Sequence, residues 1–557
     1  MLKTEPPRSP NLPALDRRTL MRGGLLGAGL FSTPLSAQLG HQTRGFTHGV
    51  ASGEPGHSRA LLWTRYAAAQ DTELTWQALS ADANQRVVAE GQVTASGDND
   101  FCVKAWAEGL EPGRWYYFRF IAPDGSMSDL GRTRTLPQGP TQSWKMAVFS
   151  CSNFGFGWFN AYRHAAEANE FDCALHLGDY FYEYPQGTYP GDSETLPGRP
   201  KLDPQSEVIA LADYRARYAM YRTDSDLRRL HQLYPMIAGW DDHESSNDSW
   251  SDGAQNHQPE SEGEWSVRKA AAMKAYREWM PVSDDPWASY EVGDLATLFR
   301  LETRLSHRAK QFDYNTLLRS IFSPEEAISR LTAFRDGDYV DPSREVLGMD
   351  QQAWLANGLN RSKTGGKVWQ VLVQQVLMGK LASATSITDT LPEGLPSYIR
   401  ERVVAGALAS RAELPLNMDA WDGYPAARER LFEAALAADA NLISLAGDTH
   451  NAWAFDLAHG GEAVGVEFGG QSVASPGLEG YLAPVPPQQI AGALVQRNPE
   501  LKWMDASQRG YMAVELTPTR ATSEYRFLAS VREKGAGVVA TNRISTLAGS
   551  RRLDMAG

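Results

Sequence analysis

Cysteine is scarce in this chain: Cys102, Cys151 and Cys173 are the only three among 557 residues. An exported protein held together by disulfides carries more, and an even number, so a disulfide framework is excluded. Excess positive charge is missing as well. Lys and Arg total 54 against 67 Asp and Glu, a net charge of −13, which argues against specific nucleic-acid binding. A phosphorylated substrate held by metal ions remains compatible, because bound cations override the local field. After the N-terminus no run is long and apolar enough to span a membrane, so no transmembrane segment is expected. No internal repeat is visible.

What is present is an ordinary globular composition, 42% hydrophobic and 22% charged, on a chain too long for one core. Asp16-Arg17-Arg18-Thr19-Leu20-Met21-Arg22 precedes a weakly apolar run, Gly23–Phe31, and then small residues up to Ala37. A basic region, an apolar region and a cleavage site in that order, with paired arginines, predict a twin-arginine signal peptide over 1–37. That reading outweighs a disordered basic tail with a chance Arg-Arg. It predicts a periplasmic or secreted protein whose partner during export is the twin-arginine machinery.

Residues 38–140 read as short strands, "ALLWTRY", "ELTWQAL", "DFCVKAWAEGL" and "RWYYFRFIA", separated by turn signals such as Ser-Gly-Glu-Pro. Aromatic and β-branched residues in rough alternation predict a small all-β domain of immunoglobulin or fibronectin type. "LPQGPTQS" (136–143) reads as a linker. From 141 to 557 the pattern changes. Apolar runs ending in polar clusters ("KMAVFSCSN", "FDCALHLGD", "PMIAGWDDHE", "VWQVLVQQV", "NLISLAGDTHNAW") alternate with amphipathic stretches such as 270–280 and 426–438. This predicts an α/β domain with its site at the C-terminal ends of the strands.

Three clusters carry chemistry. The first holds Cys151 and Asn153 with Asp179 and Tyr182. The second is Trp240-Asp241-Asp242-His243-Glu244 with Asn247 beyond. The third is Gly447-Asp448-Thr449-His450-Asn451. Taken singly, a Gly-Asp after a strand is usually a turn and a lone tyrosine an ordinary half-buried aromatic. Three such clusters at successive strand ends offer thiolate, carboxylate, phenolate, amide and imidazole together, which is a metal-ligand inventory.

The order of these clusters resembles the calcineurin-like metallophosphoesterases, and more closely the PhoD-like alkaline phosphatase/phosphodiesterase family. Ser-Cys-Ser-Asn (150–153), Gly178-Asp179-Tyr180-Phe181-Tyr182, "WDDHE" (240–244) and "GDTH" (447–450) carry the likeness. "FTHGVASGEPGHSRALLWTR" (46–65), "VEFGGQSVASPG" (466–477) and "RGYMAVELTP" (509–518) extend it over nearly the whole chain after the signal. "LETR" (301–304) departs from the family's Asp-Thr-Arg and leaves open whether Arg304 meets substrate phosphate or pairs with a core carboxylate.

The resemblance implies an α/β fold with a β-sandwich core flanked by helices (αββα) after the small all-β domain. It implies a metal-dependent hydrolase that cleaves phosphate mono- or diesters with metal-activated hydroxide. Asp179 is expected to bridge two metals, because a carboxylate offers one oxygen to each. Cys151, Tyr182 and His450 complete the first site. Asp242, Asp448 and Asn247 complete the second, with Asp241 an alternative, and Asn153 stands at the family's first-motif histidine. Thiolate, phenolate and carboxylate together suit a trivalent ion, and the family implies Fe³⁺; the oxygen-rich second site suits Ca²⁺, with Mn²⁺, Mg²⁺ or Zn²⁺ as alternatives. His243 is the expected catalytic residue, donating a proton to the leaving oxygen or bonding the phosphate, against a reading in which it orients a ligand. A monomer is expected. Two other functions fit less well: a phospholipase D-like phosphodiesterase on the same fold, and a non-catalytic metal- or carbohydrate-binding surface protein.

Overall fold

Alternation along the N-terminal strands buries one face of each. In the sixth of them, Tyr116, Phe118 and Phe120 point inward while their neighbours stay half-buried. The computed structural model describes residues 44–321, 323–386, 397–483 and 485–555; the expected signal peptide at 1–37 lies outside the described residues. Seven strands open the described chain: β1 (Gly45–Gly53), β2 (Arg59–Ala67), β3 (Thr72–Ser80), β4 (Val87–Ala95), β5 (Cys102–Glu108), β6 (Trp115–Ile121) and β7 (Gly131–Arg134). One layer has the order β4-β3-β6-β7, and β1, β2 and β5 form the other. Leu62, Leu74, Val103, Phe118 and Phe120 meet between them. The backbone amide of Glu111 donates to the Tyr116 hydroxyl at 2.8 Å, pinning the turn before β6 as a tyrosine corner does. Strands β1, β4 and β7 are additions to the four expected.

Main-chain pairing joins the N-terminal sandwich to the rest of the chain. β1 runs parallel to β10 (Pro235–Ala238), with Ser52 opposite Pro235 and Gly53 opposite Met236. Only glycine fits at Gly53, where a Cβ would lie 2.0 Å from the Pro281 carbonyl oxygen. The resulting ten-stranded sheet has the order β21-β20-β19-β18-β8-β9-β10-β1-β2-β5. Here β8 is Trp144–Phe149, β9 Cys173–His176, β18 Gly510–Leu516, β19 Arg520–Leu528, β20 Val538–Leu547 and β21 Leu553–Asp554. A seven-stranded sheet faces it, β11-β12-β13-β14-β16-β15-β17. Its strands are β11 (Ala288–Val292), β12 (Ala296–Arg300), β13 (Trp369–Val373), β14 (Leu442–Ala446), β15 (Ala452–His459), β16 (Glu462–Gly469) and β17 (Leu501–Asp505).

The central strands are apolar throughout because both faces are covered. Met146 and Val148 of β8 point into the core between the sheets, with Val371, Val373, Ile443 and Leu445 from the other side. Ala147 and Phe149 point outward, under the helices Asn160–Ala168, Leu211–Tyr221, Ser225–Leu233 and Trp265–Trp279. On the second sheet's outer face, Leu372 and Leu442 pack under Gly348–Thr364, Pro425–Ala437 and Pro487–Arg497. The layers are helix, sheet, sheet, helix, as expected. The C-terminal stretch completes an edge of the first sheet. Its β19–β20 connection braces the loop after Cys151, where the Trp158 amide donates to the Val531 carbonyl at 2.7 Å. Among the described residues no helix is long and apolar enough to cross a membrane. All three cysteines are unpaired thiols.

Candidate metal centre

Strands β8, β9 and β10 run parallel to one another in the first sheet, and β12, β13 and β14 do so in the second, so their C-terminal ends share one edge of the sandwich. The loops at that edge are the sequence clusters: 150–153 after β8, 177–182 after β9, 239–244 after β10 and 447–450 after β14. Tight turns aim their side chains. Cys151, Asp179, Asp448 and His450 have φ of 61°, 53°, 64° and 66°, the left-handed region. Non-glycine residues there cost on the order of 1–3 kcal/mol each and gather at functional sites. Gly178, at φ 109°, has no room for a side chain, since a Cβ would sit 2.6 Å from the Asp241 amide nitrogen.

Main-chain bonds lock the loops together. The Cys151 amide donates to the Gly178 carbonyl at 3.2 Å and the Ser152 amide to the Asp179 carbonyl at 2.8 Å. Glu244 accepts the amides of Asp179 (3.1 Å), Tyr180 (2.6 Å) and Asp241 (2.8 Å). The last residue of "WDDHE" is thus a clamp between the second and third loops.

The result is three overlapping groups of ligand atoms, each within 4.8 Å of one another: Cys151, Asp179 and His450; Asp179, Asp242 and His243; Asp241, Asp242 and Asp448. Asp179 and Asp242 each belong to two. The Tyr182 hydroxyl joins the first group, 3.3 Å from Asp179 Oδ2, 3.1 Å from His450 Nε2 and 2.9 Å from Ser475 Oγ. His450 Nδ1 donates to the Pro476 carbonyl at 2.6 Å, which fixes the tautomer and turns the lone pair of Nε2 toward the cluster. Burial lowers the His450 pKa to about 3, keeping that nitrogen unprotonated.

Asp179, Asp241 and Asp242 are almost wholly buried, while Asp448 and His450 are partly open and mark the mouth. Burial raises the pKa of Cys151 and Tyr182 well above the ordinary values, and Asp179 adds to both by repulsion. Burial also raises Asp179 and Asp448, whose acidic neighbours push the same way. So many acids in one dry pocket are stabilised together only by cations. One cation is built in. Arg304, fully buried, donates from Nε to Asp241 Oδ1 at 2.5 Å and from Nη1 to Asp419 Oδ2 at 2.6 Å. Its Nη2 lies 3.6 Å from Asp242 and 3.7 Å from Asp448. Burial opposes ionisation of Asp242, but His243 and Arg304 outweigh it and bring its pKa to about 2. Asp179 Oδ1 and Asp242 Oδ1 remain buried without hydrogen-bond partners. Two orphaned carboxylate oxygens, a thiol, a phenol and an oriented imidazole fit resident metal ions.

Across the chain, comparison with known proteins matches the PhoD-like phosphatase model over residues 146–525 and the PhoD-like phosphatase N-terminal domain over 33–137. The chain belongs to the PhoD-like phosphatase family. It is 31% identical over 519 residues to alkaline phosphatase D of Bacillus subtilis (strain 168), covering 88% of this chain and 79% of that protein. A solved structure of PhoD superposes with a TM-score of 0.73 at 28% identity, covering 92% of each chain. The enzyme is a phosphoester hydrolase of a metal-dependent family, and its acidic cluster offers groups of side chains that could hold metal.

Other expected residues make these contacts beside the cluster. The Asn247 amide nitrogen donates to Glu183 Oε1 at 2.7 Å, and its side-chain Nδ2 donates to Gln255 at 3.0 Å. Asn153 Oδ1 accepts the amides of Gly155 (3.1 Å) and Phe156 (3.2 Å), a local turn. Arg304 pairs with core carboxylates. Glu302, the residue at which "LETR" departs from the expected pattern, accepts the Arg304 and Leu305 amides at 2.7 Å and so shapes that loop. Sequence reasoning missed Glu183, buried one residue past Tyr182, whose Oε2 is 2.7 Å from His243 Nδ1. A carboxylate next to a predicted ligand was its only signal. Asp419 had none, because it reaches the site from a distant loop; Ser475 lies inside the family-like segment 466–477.

Proposed function

We propose a secreted phosphoesterase of alkaline phosphatase D type, working on phosphate mono- or diesters with two kinds of metal at one shared carboxylate. The observation that carries this reading is Asp179, which belongs to two ligand groups and keeps one oxygen unbonded inside the pocket. Cys151, Asp179, Tyr182 and His450 would hold Fe³⁺, because three anionic donors match a trivalent charge. Asp179, Asp242, Asp448 and Asn247 would hold Ca²⁺, with Asp241 kept for Arg304. Bound there, the metals supply an activated water and neutralise charge on the phosphoryl oxygens.

The protein's own groups do the rest. Asp179 and Asp242 set the spacing at which the ester can lie. Burial opposes the charged form of His243, but Asp242, Glu183 and Asp179 outweigh it and raise its pKa well above the ordinary value. Glu183 holds Nδ1, so Nε2 is the nitrogen free to give a proton to the leaving oxygen. Arg304 stays with its carboxylates and lowers the repulsion among them.

Residues 38–140 serve as the immunoglobulin-like part and 141–557 as the catalytic part of a monomer. Export follows the twin-arginine route, with the signal removed near Ala37 once the chain has crossed the membrane; Arg17→Lys with Arg18→Lys should leave the protein in the cytoplasm, and normal export would contradict the route. The catalytic reading is tested with a monoester and a diester of one phenol. His243→Ala should keep its metals and lose turnover on both. A variant that loses metal yet keeps turnover per bound metal would contradict the role of His243.

A further inference from the structure

Four tyrosine rings and one imidazole wall a side of the metal cluster. Tyr182 packs on His243 with ring centroids 4.3 Å apart and on Tyr189 at 5.4 Å. Tyr184 lies 5.4 Å from His243 and 5.6 Å from Tyr189. The Tyr481 hydroxyl donates to that of Tyr189 at 3.4 Å. The rings grade outward: Tyr182 is buried, Tyr184 and Tyr189 are half-buried, and Tyr481 is 41% exposed. A wall serving only the core would be buried from end to end.

The outermost ring is held in place. Tyr481 closes the one-turn helix Leu478–Tyr481, whose Glu479 pairs with Arg509 and whose Leu478 amide donates to Asn451 Oδ1 at 3.1 Å. Asn451 directly follows His450, so the same segment carries a metal-ligating imidazole and the rim of the wall. His243 stands in this wall, and a proton donor must face the leaving oxygen, so the remainder of the leaving alcohol lies among these rings.

We infer that Tyr184, Tyr189 and Tyr481 form a leaving-group subsite, and that the preferred substrates are phosphate esters whose leaving alcohol carries a planar ring. Offset or edge-to-face packing on the tyrosines favours a flat π-face over a puckered ring of equal size. The inference rests on the proposed place of His243 on the leaving-group side.

Its test reads binding without turnover. Benzylphosphonate and cyclohexylmethylphosphonate, with a methylene in place of the ester oxygen, are titrated into the metal-loaded protein by calorimetry. The wild type should bind the benzyl compound roughly three- to tenfold more tightly. Tyr481→Ala, at an exposed position, and Tyr184→Leu should each bring the ratio toward one, with melting temperature and metal content checked alongside. Equal affinity in the wild type, or a preference that neither variant moves, overturns the subsite. Failure of the loaded wild type to hydrolyse phenyl phosphate or its diesters contradicts the phosphoesterase reading instead, whatever the phosphonate ratio.

Discussion

Tyr182 places one hydroxyl against a carboxylate, an imidazole and a serine at 3.3, 3.1 and 2.9 Å. A packing tyrosine needs one partner; three, two of them metal-ligand types, suit the donor role proposed for it. If it binds a trivalent iron as phenolate, the purified protein is coloured by charge transfer from oxygen to metal, and Cys151 adds a band of its own. Tyr182→Phe should weaken or shift that band. It should lower affinity for the trivalent ion by at least the roughly 10- to 100-fold that loss of an outer hydrogen-bond partner costs. The metal-free fold should lose only about 1 kcal/mol, one net hydrogen bond. Absorption spectra with metal analysis check both. An unchanged spectrum and metal content would make Tyr182 a packing residue.

At the scale of elements, the site is a set of strand ends, and the turns that shape them carry buried acids of their own. Asp422, in the 3₁₀ turn Trp421–Gly423, accepts the Leu381 amide at 2.9 Å; Arg428, Lys380 and Glu500 are the charged groups acting on it. Burial raises its pKa from 3.8 to about 7. The folded state therefore holds this proton more tightly than the unfolded chain. The stability gained is complete below pH ~4 and is lost as the pH rises through about 7, at about 1.4 kcal/mol per unit of pKa difference. Asp422→Asn should flatten that part of the stability curve between about pH 4 and pH 7, as read by urea unfolding. An identical slope in both proteins would contradict the assignment.

The strands themselves were legible in the sequence, because β8, β9, β10, β13 and β14 are near-continuous apolar runs ending in polar clusters. Helices 270–280 and 426–438 were legible from their periodicity and appear as Trp265–Trp279 and Pro425–Ala437. Strands β1 and β4 were not. β1 is rich in glycine and small residues, and β4 has only Ala95 fully buried. Within the site, the motifs exposed the candidate ligands but not their supports. Glu183, Asp419 and Ser475 act through contacts that no local spacing encodes, and the bond from Asn247 Nδ2 to Gln255 depends on a residue eight positions on.

At the scale of the molecule, the N-terminal sandwich shares a sheet with the catalytic part. Glu54 meets Arg300 at 3.1 Å and the Tyr290 hydroxyl at 2.6 Å, and Trp63 Nε1 donates to the Glu278 carbonyl at 2.7 Å, all across that seam. Removing residues 1–140 would bare the edge of β10 and leave Arg300 buried without Glu54, a loss of about 3–5 kcal/mol for the ion pair alone. The truncated chain should aggregate or lack a cooperative melt by circular dichroism and size-exclusion chromatography. A monomeric, sharply melting fragment would show that the two parts fold independently. Above all, phosphoester hydrolysis should depend on metals shared at Asp179, and a single paired measurement decides it. Metal content per chain and hydrolysis of a 4-nitrophenyl phosphate ester are followed together for the wild type as purified, stripped by chelator and reloaded, and for Asp179→Asn. Activity should fall with the metal, return on reloading, and be absent together with at least one metal in the variant. Turnover that survives stripping, or Asp179→Asn with full metal and full activity, would contradict the shared-metal mechanism.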